Sequence, residues 1–197
     1  PHCNGTHTEC IGHITKERVS ILDSLQEEMI LSVLITVEPK NSTEKYSPAL
    51  SPKDLVITRQ QLEEKLKGIN SNYLQALIVR TLPNSEQKKQ RNYMQELSSF
   101  FTIEAMQYIR DIGVKHLLVD VPSVDRLFDD GHLSCHNIFW NTKEKKYNSS
   151  TKNYTITEMI YVDNKIEDGL YLLNLQIPSF VSDAAPSRPI IFKFYDI

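Results

Sequence analysis

With 197 residues, the chain is long enough for one domain with a substantial core. Hydrophobic residues at 40% and charged residues at 24% are ordinary for a globular protein, and a formal net charge of -3 removes the electrostatic case for a nucleic-acid or anionic-membrane partner. No stretch approaches the apolar length that spans a bilayer.

The chain opens on Pro1 and runs at once into His, Cys and Glu, with neither methionine nor signal sequence, as a chain whose first segment is missing would. Any targeting signal belongs to that segment, and the expected compartment is the cytoplasm. Cys3, His7 and Glu9 are separated by even intervals, so in an extended segment they leave one face, with neighbours two apart roughly 7 Å from each other. Gly5 lies between them on that face and leaves room for an ion or substrate. His13 shares the parity, with Gly12 a point where the chain can bend, whereas His2 has the opposite parity. Thiolate, imidazole and carboxylate together suit zinc and argue against calcium or magnesium.

Further along, Ile30 to Val37 reads as a buried strand, and Lys40 to Lys53 as a polar loop. Thr58-Arg59-Gln60-Gln61 fits a capping box whose helix stops near Gly68. Tyr73 to Arg80 is expected as a strand and Leu82 to Arg91 as a polar connection. Thr102 caps a second helix, with Glu104 in its first turn and Gly113 at its end. Val114 to Val119 then forms a strand that delivers Asp120, Ser123 and Asp125 into a loop at its carboxyl end, where open α/β sheets place their sites. Ser123 reads as the cap of a turn after Pro122 rather than a nucleophile.

His132, Cys135 and His136 form a second group. On a helix His132 and His136 would share a face; Asp129-Asp130-Gly131 argues instead for a turn with His132 exposed, and His136 is held beside the apolar run Ile138-Phe139-Trp140, itself read as core. Asn141 to Asn153 is expected as a surface loop. Ile156 to Val162, Leu170 to Ile177 and Pro189 to Phe194 are the closing strands. Mixed strands and helices in this order predict α/β, or α+β, with a mixed sheet in one domain over 1–197. Cys10 and Cys135 are expected as reduced, partly buried thiols, because three cysteines make no disulfide framework. The Asn-x-Ser/Thr matches at Asn4, Asn41, Asn148 and Asn153 carry no meaning without secretion.

Gly5-Thr6-His7-Thr8-Glu9-Cys10-Ile11-Gly12-His13 resembles the His-x-Gly-Thr-His-x-Asp-x-Pro-x-His signature of the cyclase-like family, which includes kynurenine formamidases (arylformamidases) and isatin hydrolases. Gly113 to Asp125 looks like that family's strand and Asp-x-x-Ser-x-Asp loop, and Ala185-Pro186-Ser187-Arg188 is similar to its Gly-x-Pro-x-Arg element. The resemblance implies a swivelling β/β/α-type domain, a divalent metal (zinc, or manganese) and hydrolysis of an amide, either an aryl formamide or a cyclic amide. It implies metal ligands at His7, Glu9, His136 and Glu158, and proton transfer by His13. Cys3 falls where the family's first ligand is a histidine, and His2 lies one place off. Glu9 stands where the family has aspartate, and Ile11 where it has proline, so the branch is divergent. A small-molecule substrate and a homo-oligomer, dimer or tetramer, are also implied. A non-catalytic ligand- or metal-binding protein on the same scaffold is the alternative, and a lyase or cyclisation enzyme a third.

Overall fold

The structure, a computed structural model, describes residues 4–179 and 181–194. Its first elements are β1 (His7–Cys10), α1 (Ile21–Ser24), β2 (Met29–Val37), β3 (Val56–Ile57), α2 (Arg59–Leu66) and β4 (Ala76–Thr81). β5 (Phe100–Phe101), α3 (Ile103–Asp111), β6 (His116–Val119) and α4 (Ser134–Phe139) follow. β7 (Thr155–Glu158), β8 (Gly169–Asn174), β9 (Ala184–Pro186) and β10 (Ile190–Lys193) close the chain.

Eight strands form one sheet in the order β10-β8-β2-β4-β6-β7-β1-β9. β2, β4, β6 and β7 pair in parallel, while β8 and β10 on one side and β1 and β9 on the other add antiparallel. The fold is therefore mixed α/β. Strands buried on both faces are mostly apolar, and β4 and β6 are covered along their whole lengths, with Arg80, Thr81 and His116 hydrogen-bonded where they are buried. Alternate side chains divide two cores across the sheet. Val33, Ile35, Leu77, Val79 and Val119 pack beneath Leu62, Met106, Ile109 and Phe139 of the helices. Ile30, Leu34, Ile78, Leu118 and Leu173 form a smaller cluster on the opposite face.

Local chemistry sets the helices. Thr58 and Gln61 make the reciprocal capping box that opens α2, and the Thr102 hydroxyl accepts from Ala105 N at 3.1 Å to open α3. α3 gives way to Gly113, whose φ of +87° few other residues adopt.

Several expected boundaries move: the strands expected over Val114 to Val119, Leu170 to Ile177 and Pro189 to Phe194 are His116–Val119, Gly169–Asn174 and Ile190–Lys193. The strand expected over Tyr73 to Arg80 begins only at Ala76, because Asn70 accepts from Asn72 N and winds Ser71–Tyr73 into a 3-10 turn. The strand expected over Ile156 to Val162 ends at Glu158, since Met159 takes a left-handed φ of +57° and turns its amide to Val121 O at 3.0 Å. The connection after Leu82 is partly 3-10, over Glu86–Gln90, and buries Lys88 on Asp120 at 2.8 Å. Cys10 and Cys135 are free thiols and wholly buried rather than partly so. Phe139 and Trp140 are core residues, as their apolar run suggests. Among the described residues no helix is long and apolar enough to cross a membrane.

Candidate metal centre

β1 supplies two side chains to one face of the sheet. His7 and Glu9 are two residues apart, and His7 lies directly opposite Glu158 of antiparallel β7, so all three project together. Thr8 points to the other face, where its hydroxyl meets Thr157 Oγ1 and Ser187 Oγ, each at 2.8 Å. Nε2 of His7 stands 3.6 Å from Glu158 Oε2. His7 Nδ1 is 2.9 Å from Gly5 O, and because a carbonyl only accepts, Nδ1 carries the proton. Glu158 is held in turn by Val124 N, which donates to Oε1 at 2.9 Å.

α4 brings His136 across to this group. Asp129 accepts from Gly131 N and Leu133 N, tying the turn that sends the chain into the helix and leaves His132 exposed. Nε2 of His136 lies 2.9 Å from Glu9 Oε1 and 3.7 Å from Glu158 Oε1, and Nδ1 lies 2.6 Å from Asp125 Oδ2.

His13 approaches from the 3-10 turn Ile11–His13. The extended geometry expected from its parity ends at Cys10, and the bend at Gly12 carries the ring back over Glu9. Nε2 is 3.3 Å from Glu9 Oε2 and Nδ1 is 3.0 Å from Asp183 Oδ2. With 31% of its side chain exposed, against 1% for Glu9, His13 marks the solvent edge of a buried cluster.

Burial raises the carboxyl of Glu9, but the charges of His136, His13 and His7 and the His136 hydrogen bond outweigh it and hold Glu9 below its ordinary value. Burial, reinforced by the Glu9 charge, pushes Glu158 well above the carboxylate range. Burial lowers His136, yet Glu9 and Asp125 together hold it well above the usual histidine value. Two buried carboxylates that repel one another and share imidazoles are a donor set suited to a cation.

The spacing fits one. Ligand atoms of His7, Glu9 and Glu158 lie within 4.8 Å of one another. A tetrahedral zinc with bonds near 2.1 Å separates its ligand atoms by about 3.4 Å, close to the 3.6 Å between His7 Nε2 and Glu158 Oε2.

The family model "Putative cyclase" matches residues 1–126. The chain belongs to the cyclase family. No curated protein matches it. Among solved structures, a "potential metal-dependent hydrolase with cyclase activity" aligns with TM-score 0.62 at 16% identity, covering 100% of this chain and 81% of that one. A "predicted metal-dependent hydrolase" from Bacillus stearothermophilus aligns with TM-score 0.59 at 15% identity, covering 97% and 77%. An isatin hydrolase bound to the product analogue thioisatinate aligns with TM-score 0.59 at 13% identity, covering 96% and 71%. At these identities the likeness is one of fold.

In this cyclase chain the fold brings His7, Glu9, His13, His136 and Glu158 together from four separate elements. Cys3, expected as a ligand, and His2 lie outside the described residues. Sequence reasoning missed Asp183 as the partner of His13 and left Asp125 unassigned. No local signal marks Asp183, which lies 170 positions from His13 in the chain. Asp125 did carry one, its place in the polar loop after β6. Ser123 accepts from Asp125 N at 3.2 Å, the turn-capping role expected of it.

Proposed function

We propose that this cyclase-family chain is a metal-dependent hydrolase that cleaves a carbon–nitrogen amide bond, in an aryl formamide or a cyclic amide. The observation that carries the reading is the buried convergence of His7, Glu9, Glu158 and His136, with His13 at its solvent edge. His7, Glu9, His136 and Glu158 would hold a divalent cation, zinc first and manganese second, with Cys3 a further candidate ligand. When bound, the cation supplies Lewis acidity toward a carbonyl and lowers the pKa of water.

The chain's own residues do the rest. Asp183 accepts from His13 Nδ1 and fixes the ring, which turns Nε2 toward the cluster. His13 is thus placed to take a proton from water and return it to the departing nitrogen. Water oxygen joins the carbonyl carbon, the carbon–nitrogen bond breaks and the amine leaves with the proton. General acid–base help of this kind typically contributes about 100- to 10,000-fold. The isatin hydrolase with its bound thioisatinate supports a cyclic amide as the substrate class. We further read the protein as cytoplasmic and homo-oligomeric, dimer or tetramer. Exposed Ile190, Phe192 and Phe194 along the edge strand and just past its end support an apolar contact face.

Purified protein should contain stoichiometric zinc or manganese and hydrolyse formamides or cyclic amides. His7→Ala should lose both metal and activity. His13→Ala should retain metal and lose at least about 100-fold in rate. Full activity in both variants would sink the assignment. Oxygen from labelled water enters the product of a hydrolase and not that of a lyase.

A further inference from the structure

Asp125 is buried in the loop after β6 and accepts four hydrogen bonds. Its Oδ1 accepts from the Tyr46 hydroxyl at 2.8 Å and from Cys135 N at 2.7 Å. Its Oδ2 accepts from His136 N at 3.1 Å and faces His136 Nδ1 at 2.6 Å. α4 needs such a partner. Its N-cap, Leu133, sits at φ +49° and offers no side-chain cap, so the amides of Cys135 and His136 find their acceptor earlier in the same loop, at Asp125.

The same carboxylate therefore fixes both the backbone and the ring of His136. An ionised carboxylate only accepts, so Nδ1 carries the proton. Nε2 is then turned to Glu9 Oε1 at 2.9 Å and Glu158 Oε1 at 3.7 Å. Rotating the ring breaks the Nδ1 bond while the backbone amides keep their hold. Tyr46 braces the arrangement from a third side: its oxygen accepts from Arg126 N at 2.8 Å, and the Arg126 guanidinium lies over its ring at 5.1 Å.

We propose that Asp125 is a positioning residue for His136, keeping the proton on Nδ1 and Nε2 aimed between Glu9 and Glu158, so that a divalent cation displacing the Nε2 proton meets a pre-oriented nitrogen donor. This rests on the metal reading of the cluster. Carboxylates behind metal-binding histidines typically contribute 10- to 100-fold in metal affinity. An amide at the same position keeps the shape but offers one acceptor group where four donors converge.

The test is calorimetric titration of Zn2+ into the metal-free full chain, its Asp125→Asn variant and its Tyr46→Phe variant. Asp125→Asn should bind Zn2+ about 10- to 100-fold more weakly and show an altered visible spectrum when loaded with Co2+. Tyr46→Phe, which leaves the Nδ1 contact in place, should melt earlier yet keep the parental Zn2+ affinity and Co2+ spectrum. Equal losses of affinity in the two variants would mean general loosening and overturn the proposal. Unchanged affinity in Asp125→Asn would overturn it while leaving the metal centre standing, whereas no Zn2+ binding by the parent chain removes both. Should Asp125→Asn fail to fold, long-range nitrogen–proton NMR of the parent chain decides the matter. A proton on Nδ1 of His136 with Zn2+ bound supports the role, and a bare Nδ1 overturns it.

Discussion

His116 stands at the first position of β6, its Nδ1 2.9 Å from Thr155 Oγ1, far from any use in the chemistry. Burial, helped by the Lys115 charge, pushes its pKa down from 6.5 to about 4. A histidine depressed in the folded state resists a proton that the unfolded chain accepts. Its neutral ring thus contributes stability that is full above pH 6.5 and is lost as pH falls toward 4. The gap is worth about 3 kcal/mol. Urea denaturation at pH 7 and pH 4.5 should show His116→Gln losing less stability than the parent over that interval. Parallel losses would contradict the assignment. His116 was legible only as a member of the strand expected over Val114 to Val119, because nothing in its neighbours along the chain announces that both faces of that strand are covered.

At the scale of elements, the turn after β1 decides where His13 goes. A Cβ at Gly12 would lie 2.3 Å from Val19 O and 3.1 Å from Val19 C, backbone atoms that cannot rotate away. Gly12→Ala should therefore destabilise the chain by about 1–3 kcal/mol, the usual cost of overpacking, and shift His13 from Glu9. Thermal melts and hydrolytic rate check this together, and an alanine variant matching the parent in both would show that the contact relaxes freely. The sequence flagged the bend but not its reason, since Val19 approaches Gly12 only in the folded turn. Helix starts were easier, because Thr58 and Thr102 find their partners within three residues. β7 was harder: its end depends on Met159 bonding to Val121, a neighbour supplied by another strand's loop.

For the molecule as a whole, the proposed metal centre at the buried carboxylates of Glu9 and Glu158 would make a bound cation part of the stability. At Zn2+ a hundredfold above its dissociation constant the folded state gains about 2.7 kcal/mol. For a chain of this size that is a rise in Tm of about 5–10 °C. Calorimetry with Zn2+ and then with excess chelator should show the rise and its reversal. A Tm indifferent to both would remove the metal centre from the account.

From its residues alone the chain determined the caps of α2 and α3, most of its strands, the parity that sets His7 beside Glu9, and the motif that carries the family resemblance. Each of these depends on residues within a few positions of one another, where backbone geometry leaves little freedom. Only the tertiary structure decided that Glu158 lies opposite His7, that Asp183 steadies His13 and that Asp125 holds His136. Those pairings depend on sheet register and on which loop passes over which strand, and a change of register by one residue would turn the same side chains to the other face.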